Sequence, residues 1–278
     1  MSIVPFSKNE LAHGLFSLKN LPQRGSVSDI AMGTGWWELD QIFKLYPGQF
    51  VVVTGIPGSG KSTFMLNMLA NLSRTTNFRS MLFVPENEGH LREKMERIWG
   101  DKPGFDKFCT EQCWVQSAVA DSYEAPAQTL SWILDQTIEG IKHAGVDLLM
   151  IDPWNELEWA RRPKDQTATE YIGDCLKLIK YFCRMYEVAV VVVAHPTKDV
   201  GKDGKARNIT LYDIEGSAHW YNKCDNGLIV VREPGTRSTK VVSAKVREKG
   251  AGKIGVCYFD VDPETELFTP QHGAVMTP

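Results

Sequence analysis

The chain alternates between short, uninterrupted apolar runs and longer stretches in which apolar positions recur every third or fourth residue. Phe50–Thr54, Ser80–Val84, Asp147–Ile151 and Val188–Ala194 are runs of the first kind, built largely from Val, Leu, Met, Ile and Phe. A strand with one wet face alternates polar and apolar residues, whereas one covered by helices on both faces does not. These runs therefore predict inner strands of a parallel sheet. Between them, Ser62–Leu72, Glu88–Trp99, Ala127–His143 and Thr167–Tyr186 carry helical spacing, and Cys113–Gln116 reads as a short further strand. The β-α-β succession predicts an α/β fold: a mostly parallel central sheet flanked by helices, with right-handed crossovers.

After Asp225 the texture changes. Gly227–Arg232, Lys240–Val246 and Gly255–Val261 follow one another directly, with turns at Glu233-Pro234-Gly235 and Gly250-Ala251-Gly252. That pattern predicts antiparallel C-terminal strands. At the other end, Leu11, Leu15 and Leu18 predict a short amphipathic helix within Glu10–Leu21, broken at Pro22–Gly25. Residues 1–25 are thus expected to form a helix and linker that docks on the main domain or on a neighbouring subunit. Residues 26–278 are expected to form one ATPase domain.

Composition narrows the picture only a little. A formal net charge of -3 excludes a uniformly basic nucleic-acid-coating protein but leaves room for local basic loops. The six cysteines contain no C-x-x-C pair, so free thiols in a reducing, cytosolic compartment are expected, without zinc. Met1 to Asn20 lacks the apolar core of a signal peptide. The longest apolar run, Val188–Ala194, is far short of the roughly 20 residues a membrane span needs.

The strongest chemical signal is Gly55-Ile56-Pro57-Gly58-Ser59-Gly60-Lys61-Ser62, a P-loop between a strand and a helix. Its glycines let backbone N–H groups turn toward phosphate oxygens, at a helix N-terminus whose dipole favours an anion. Gly55, Pro57, Gly58, Ser59, Gly60, Lys61, Ser62 and Thr63 are the candidate nucleotide-binding residues. Lys61 would reach the β- and γ-phosphates of ATP or another nucleoside triphosphate, and the Ser62 hydroxyl would hold Mg²⁺. Asp152 ends the strand Leu148–Ile151 and is the second candidate for the metal. Glu86 follows Ser80–Val84 at the same sheet edge, where a carboxylate could deprotonate the attacking water. Glu88 is its rival, otherwise read as a helix N-terminal acid. His195 ends the run Val188–Ala194, placed to bond the γ-phosphate.

Two basic segments also follow strand ends: Arg161, Arg162 and Lys164, then Lys198, Lys202, Lys205 and Arg207. Basic loops of this kind suit a nucleic-acid backbone, or are simply solvated. Lys245 and Arg247 lie two apart on one strand face, and spacing does not bring them to the local phosphates.

The order of these motifs resembles the RecA-like helicase domain of ring replicative helicases, including phage helicase–primases and Twinkle-like mitochondrial helicases. The likeness covers about residues 30 to 270. It rests on Gly35-Trp36-Trp37-Glu38-Leu39-Asp40, Pro47-Gly48, the P-loop, Glu86, Asp152, His195-Pro196-Thr197-Lys198, Asp213-Ile214-Glu215-Gly216-Ser217 with Asp225-Asn226, and Lys245-Val246-Arg247. The resemblance implies a hexameric motor that moves 5′ to 3′ on single-stranded DNA, with a primase or polymerase as a further partner.

It also implies residue roles. Glu86 becomes the catalytic base and His195 the phosphate sensor. Lys245 and Arg247 become fingers acting on the neighbour's nucleotide. Lys198, Lys202, Lys205 and Arg207 become part of the DNA-facing loop, and Arg232 a stacking partner for the base. Pro85 directly before Glu86 departs from the relatives, and the zinc-binding and primase modules are missing. The chain is therefore read as a helicase-domain fragment, a stand-alone helicase or a relative that keeps only the ATPase. Two other functions remain open: a recombinase- or clock-type ATPase, and a nucleotide-dependent regulatory or loading protein that does not unwind.

Overall fold

The computed structural model describes residues 16–21, 25–86, 88–117, 126–158, 166–197, 209–214 and 218–272. Five runs become parallel strands: β1 (Phe50–Thr54), β2 (Ser80–Phe83), β3 (Cys113–Val115), β4 (Leu148–Ile151) and β5 (Ala189–Val193). β6 (Asn226–Arg232) joins β1 in parallel, and β7 (Ser238–Val246), β8 (Gly255–Val261) and β9 (Phe268–Pro270) continue the sheet antiparallel. The strand order is β3-β2-β4-β5-β1-β6-β7-β8-β9.

The uninterrupted apolar runs have the expected cause. Val51 and Val53 face one hydrophobic core and Phe50 and Val52 face another, so every position of the strand is buried. The first core is closed by α1 (Lys61–Thr75) and α2 (Leu91–Trp99), which contribute Phe64, Met65, Met95 and Trp99. The second is closed by α3 (Leu130–Ala144), α4 (Ala168–Tyr186) and α5 (His219–Lys223), through Ile133, Leu176 and Trp220. The Trp154 and Trp220 rings meet edge to face with centroids 5.2 Å apart.

Element ends follow local chemistry. α4 opens with a capping box: the Thr167 hydroxyl accepts the Glu170 N–H, and the Glu170 carboxylate accepts the Thr167 N–H at 2.8 Å. α3 stops at Gly145, which takes up a left-handed conformation. The stretch Glu88–His90, expected to begin a helix, is a 3-10 turn before α2.

The predicted Glu10–Leu21 helix lies mostly outside the described residues, and its described end, Leu18–Asn20, is a 3-10 turn with no buried residue. β9 was not expected from the sequence, because three residues ending in proline carry no alternation. No helix among the described residues is long and apolar enough to cross a membrane.

Candidate active site

The strands β1, β2, β4 and β5 are parallel neighbours, so their carboxyl ends share one edge of the sheet. Ligands of open α/β sheets bind along that edge. The P-loop leaves β1, Glu86 follows β2, Asp152 follows β4 and His195 follows β5. The structure thus gathers four groups that lie up to 140 residues apart in the chain.

Two glycines are needed for the loop. A Cβ on Gly55 would collide with the Val230 carbonyl oxygen and crowd Ser59 Oγ, and Gly60 holds the left-handed N-cap of α1 with φ 88°. The Lys61 ammonium donates to the carbonyls of Gly55 at 2.9 Å and Ile56 at 3.0 Å, inside the turn. Burial lowers its pKa, and the charges of Asp152 and Glu86 act the other way.

Asp152 is 3% exposed. Burial raises its pKa; the Ser62 hydroxyl, by hydrogen bonding, and the Lys61 charge oppose that shift. Its Oδ2 is buried with no hydrogen-bond partner. An unsatisfied carboxylate oxygen beside a serine hydroxyl, at a helix N-terminus built for phosphate, is a hard-oxygen donor set that fits Mg²⁺.

Glu86 is exposed, and its charge acts on both Lys61 and Asp152. Glu88 instead lines a groove between α2 and β3, with Leu91, Met95 and Phe108. The two candidates for the base are therefore separated by position, and Glu86 is the one facing the P-loop groups. His195 stands half-buried past β5, and the backbone beside it is fixed. Thr54 Oγ1 donates to the Ala194 carbonyl at 2.8 Å, and the Thr197 N–H donates to Asp213 O at 2.8 Å.

Arg232 ends β6 on the same edge. With Ser59, Gly60, Thr63, Asp262 and Phe268 it lines a cleft of about 160 Å³ beside the P-loop. The wall of that cleft is set by Asn67 of α1, which accepts the Phe268 N–H and donates to Glu266 O, both at 3.0 Å.

One cation was missed by sequence reasoning. Lys94, on α2, donates to Thr63 Oγ1 at 2.8 Å, pairs with Glu266 at 3.0 Å, and acts on Asp152 by charge. Within Leu91-Arg92-Glu93-Lys94 it reads as one more charge on a solvated helix face.

Lys245 and Arg247 are elsewhere. β1 residue Thr54 pairs with Ile229, which pairs with Val242, and Arg247 continues β7 away from that point toward the amino ends of β1 and β6. At about 3.4 Å per residue this puts Arg247 roughly 15 Å down the sheet from the P-loop. The predicted DNA-contact residues Arg161, Arg162, Lys164, Lys198, Lys202, Lys205 and Arg207 lie outside the described residues, as do Glu215–Ser217.

Comparison with known proteins places these residues in context. A family model described as an AAA domain matches residues 38–201. A Twinkle homolog protein, chloroplastic/mitochondrial, of Arabidopsis thaliana is 34% identical, over 92% of this chain and 40% of its own length. The replicative DNA helicase DnaB of Mycoplasma genitalium is 21% identical, over 83% of this chain and 53% of its own. The chain thus spans about half or less of the length of these curated relatives. Among solved structures, an isolated ATPase domain superposes with a TM-score of 0.72 at 18% identity, covering 86% of this chain and 91% of that one. A DnaB-like replicative helicase superposes with a TM-score of 0.68 at 19% identity, covering 85% of this chain and 61% of that one. The fold is RecA-like.

Proposed function

The chain belongs to the AAA-domain family, and we propose that residues 26–278 act as the ATP-driven motor of a replicative DNA helicase, working as a ring on single-stranded DNA. The observation that carries this reading is the division of the site. Lys61, Ser62, Asp152, Glu86 and His195 share one sheet edge, while Lys245 and Arg247 stand at the other end of the same sheet. A site whose cations lie beyond reach of their own phosphates is completed by a second copy. The likeness to proteins named Twinkle and replicative DNA helicase DnaB supports the same reading.

In this mechanism the P-loop amides and Lys61 hold the triphosphate, Ser62 and Asp152 hold Mg²⁺, and Arg232 flanks the base. The bound Mg²⁺ supplies charge neutralisation on the phosphates. Glu86 takes a proton from water as its oxygen attacks the γ-phosphorus, and the bond to the β-phosphate oxygen breaks, releasing the diphosphate. The neighbour's Arg247, with Lys245, stabilises charge on the transferring group, a contribution on the order of 10³–10⁵ in rate. His195 senses the γ-phosphate at the start of the segment that runs into Lys198. Lys198, Lys202, Lys205 and Arg207, with Arg161, Arg162 and Lys164, contact the DNA backbone.

Direction 5′ to 3′, a hexameric ring and a primase or polymerase partner complete the proposal. Residues 1–25 are the proposed docking arm. All six cysteines are free thiols, which suits a reducing, cytosol-type compartment. Mass measurement with and without nucleotide and single-stranded DNA, alongside ATPase rates, tests the proposal. A nucleotide-dependent ring with DNA-stimulated hydrolysis is expected. A monomer that hydrolyses ATP at the same rate with or without DNA would overturn it.

A further inference from the structure

The two cations at the end of β7 rest on one short piece of chain. The Lys245 ammonium donates to the Tyr221 carbonyl and lies 4.8 Å from the centroid of the Tyr221 ring. Arg247 Nη2 donates to the carbonyls of Asn222 at 3.0 Å and Cys224 at 3.4 Å, and Nε meets the Asp225 carboxylate at 3.1 Å. All of these partners belong to α5 and the residues that lead it into β6.

Asp225 is itself fixed. It is 6% exposed, its other oxygen accepts the Phe50 N–H at 3.0 Å, and Lys180 of α4 pairs with it. The Tyr221 ring stacks on Tyr212, with centroids 4.5 Å apart and planes 22° from parallel. Tyr212 lies in the turn Leu211–Asp213, and that turn is tied to the strand end carrying His195. Thr197 N–H donates to Asp213 O at 2.8 Å, and Pro196 bridges to Ile214. Leu211 packs against Gly227, the residue paired with Lys245 across the sheet.

One segment therefore touches the sensor strand at one end and the finger pair at the other. We infer that Tyr221 and Asp225 are positioning residues, which set the pose in which Lys245 and Arg247 are presented to a neighbouring nucleotide. The Tyr212 stack ties that pose to the chain behind His195, so a subunit's own site adjusts the fingers it offers. This inference rests on the finger reading above. A cation held over one ring and one carbonyl biases its pose by a factor on the order of ten, enough to aim it and little enough to re-aim it.

The test is a double-mutant cycle in single-stranded-DNA-stimulated ATPase on the assembled protein. Tyr221→Ala is expected to lower kcat about tenfold with KM for ATP nearly unchanged, and Tyr221→Phe to retain the rate. In a Lys245→Ala background, Tyr221→Ala should cost nothing further. Asp225→Asn, which keeps the side-chain shape, should likewise add nothing to Arg247→Ala. Thermal unfolding of each variant accompanies the rates.

Full additivity of Tyr221→Ala with Lys245→Ala, a wild-type rate for Tyr221→Ala, or a loss confined to KM would overturn the inference. If Lys245→Ala and Arg247→Ala themselves leave kcat intact, the finger reading fails first and takes this inference with it.

Discussion

Arg247 Nε lies 3.1 Å from the Asp225 carboxylate, at the end of the sheet remote from the Lys61 ammonium. An arginine anchored there has no route to its own subunit's triphosphate. Arg247→Ala is therefore expected to lower kcat by about 10³ or more while leaving nucleotide affinity within a few fold. Steady-state ATPase with a fluorescent-nucleotide titration separates the two quantities. A loss of binding equal to the loss of rate would place Arg247 in its own site.

Glu86 and Glu88 are distinguished by what they face. Glu86→Gln is expected to cost about 10²–10⁴ in kcat and to keep nucleotide binding, because it removes a proton acceptor and little charge contact. Glu88→Gln, in the groove beside Leu91 and Phe108, is expected to stay within a few fold of wild type. Single-turnover hydrolysis measures both, and the reverse order would make Glu88 the base.

Asp152 is buried, so its pKa is raised and the folded chain without metal holds its proton more tightly than the unfolded chain does. Stability from this group is present below the ordinary carboxylate pKa and falls as pH rises through the raised value. Asp152→Asn removes that cost. Without Mg²⁺ the variant is expected to melt at or above the wild-type temperature at pH 7, and its kcat with Mg²⁺ to fall at least about a hundredfold. A variant that melts well below wild type without metal would contradict a site built for a cation.

The thiols give a pH signature. Burial pushes Cys113 and Cys257 up to about 12 and Cys224 to about 11. At pH 8 roughly one thousandth or less of each is thiolate, so alkylation of the native protein should be slow and accelerate on unfolding. Because folding raises these pKa values, their contribution to stability is intact below the usual thiol pKa and is lost as pH climbs past it. Mass spectrometry after timed alkylation reads the first effect, and melting between pH 8 and 10 the second.

The parts of this molecule that were legible beforehand are those whose signal is local. Val51-Val52-Val53 reads as an inner strand because both faces are covered, and the P-loop reads as itself because its glycines are tied to backbone geometry. Lys94 was invisible because its importance comes from Thr63 and Glu266, which are distant in sequence or on another element. The Tyr212–Tyr221 stack and the Asp225 anchor were invisible for the same reason: no spacing rule relates a tyrosine in a turn to a lysine on β7. Gly227 is a smaller case of the same kind. Nothing around it in sequence announces that Leu211 fills the place of its missing side chain, and Gly227→Ala should cost about 1–3 kcal/mol in chemical denaturation.

The central claim is that each active site is assembled from two copies of the chain, and subunit mixing tests it most directly. Lys61→Ala removes the phosphate grip and keeps the fingers; Arg247→Ala does the opposite. Each variant should be nearly inactive by itself. Mixed in equal amounts with ATP and single-stranded DNA, they should regain hydrolysis well above the sum of the two, because intact fingers then meet intact P-loops. A mixture that stays at that sum, although the two variants are shown to assemble together, would contradict a shared site.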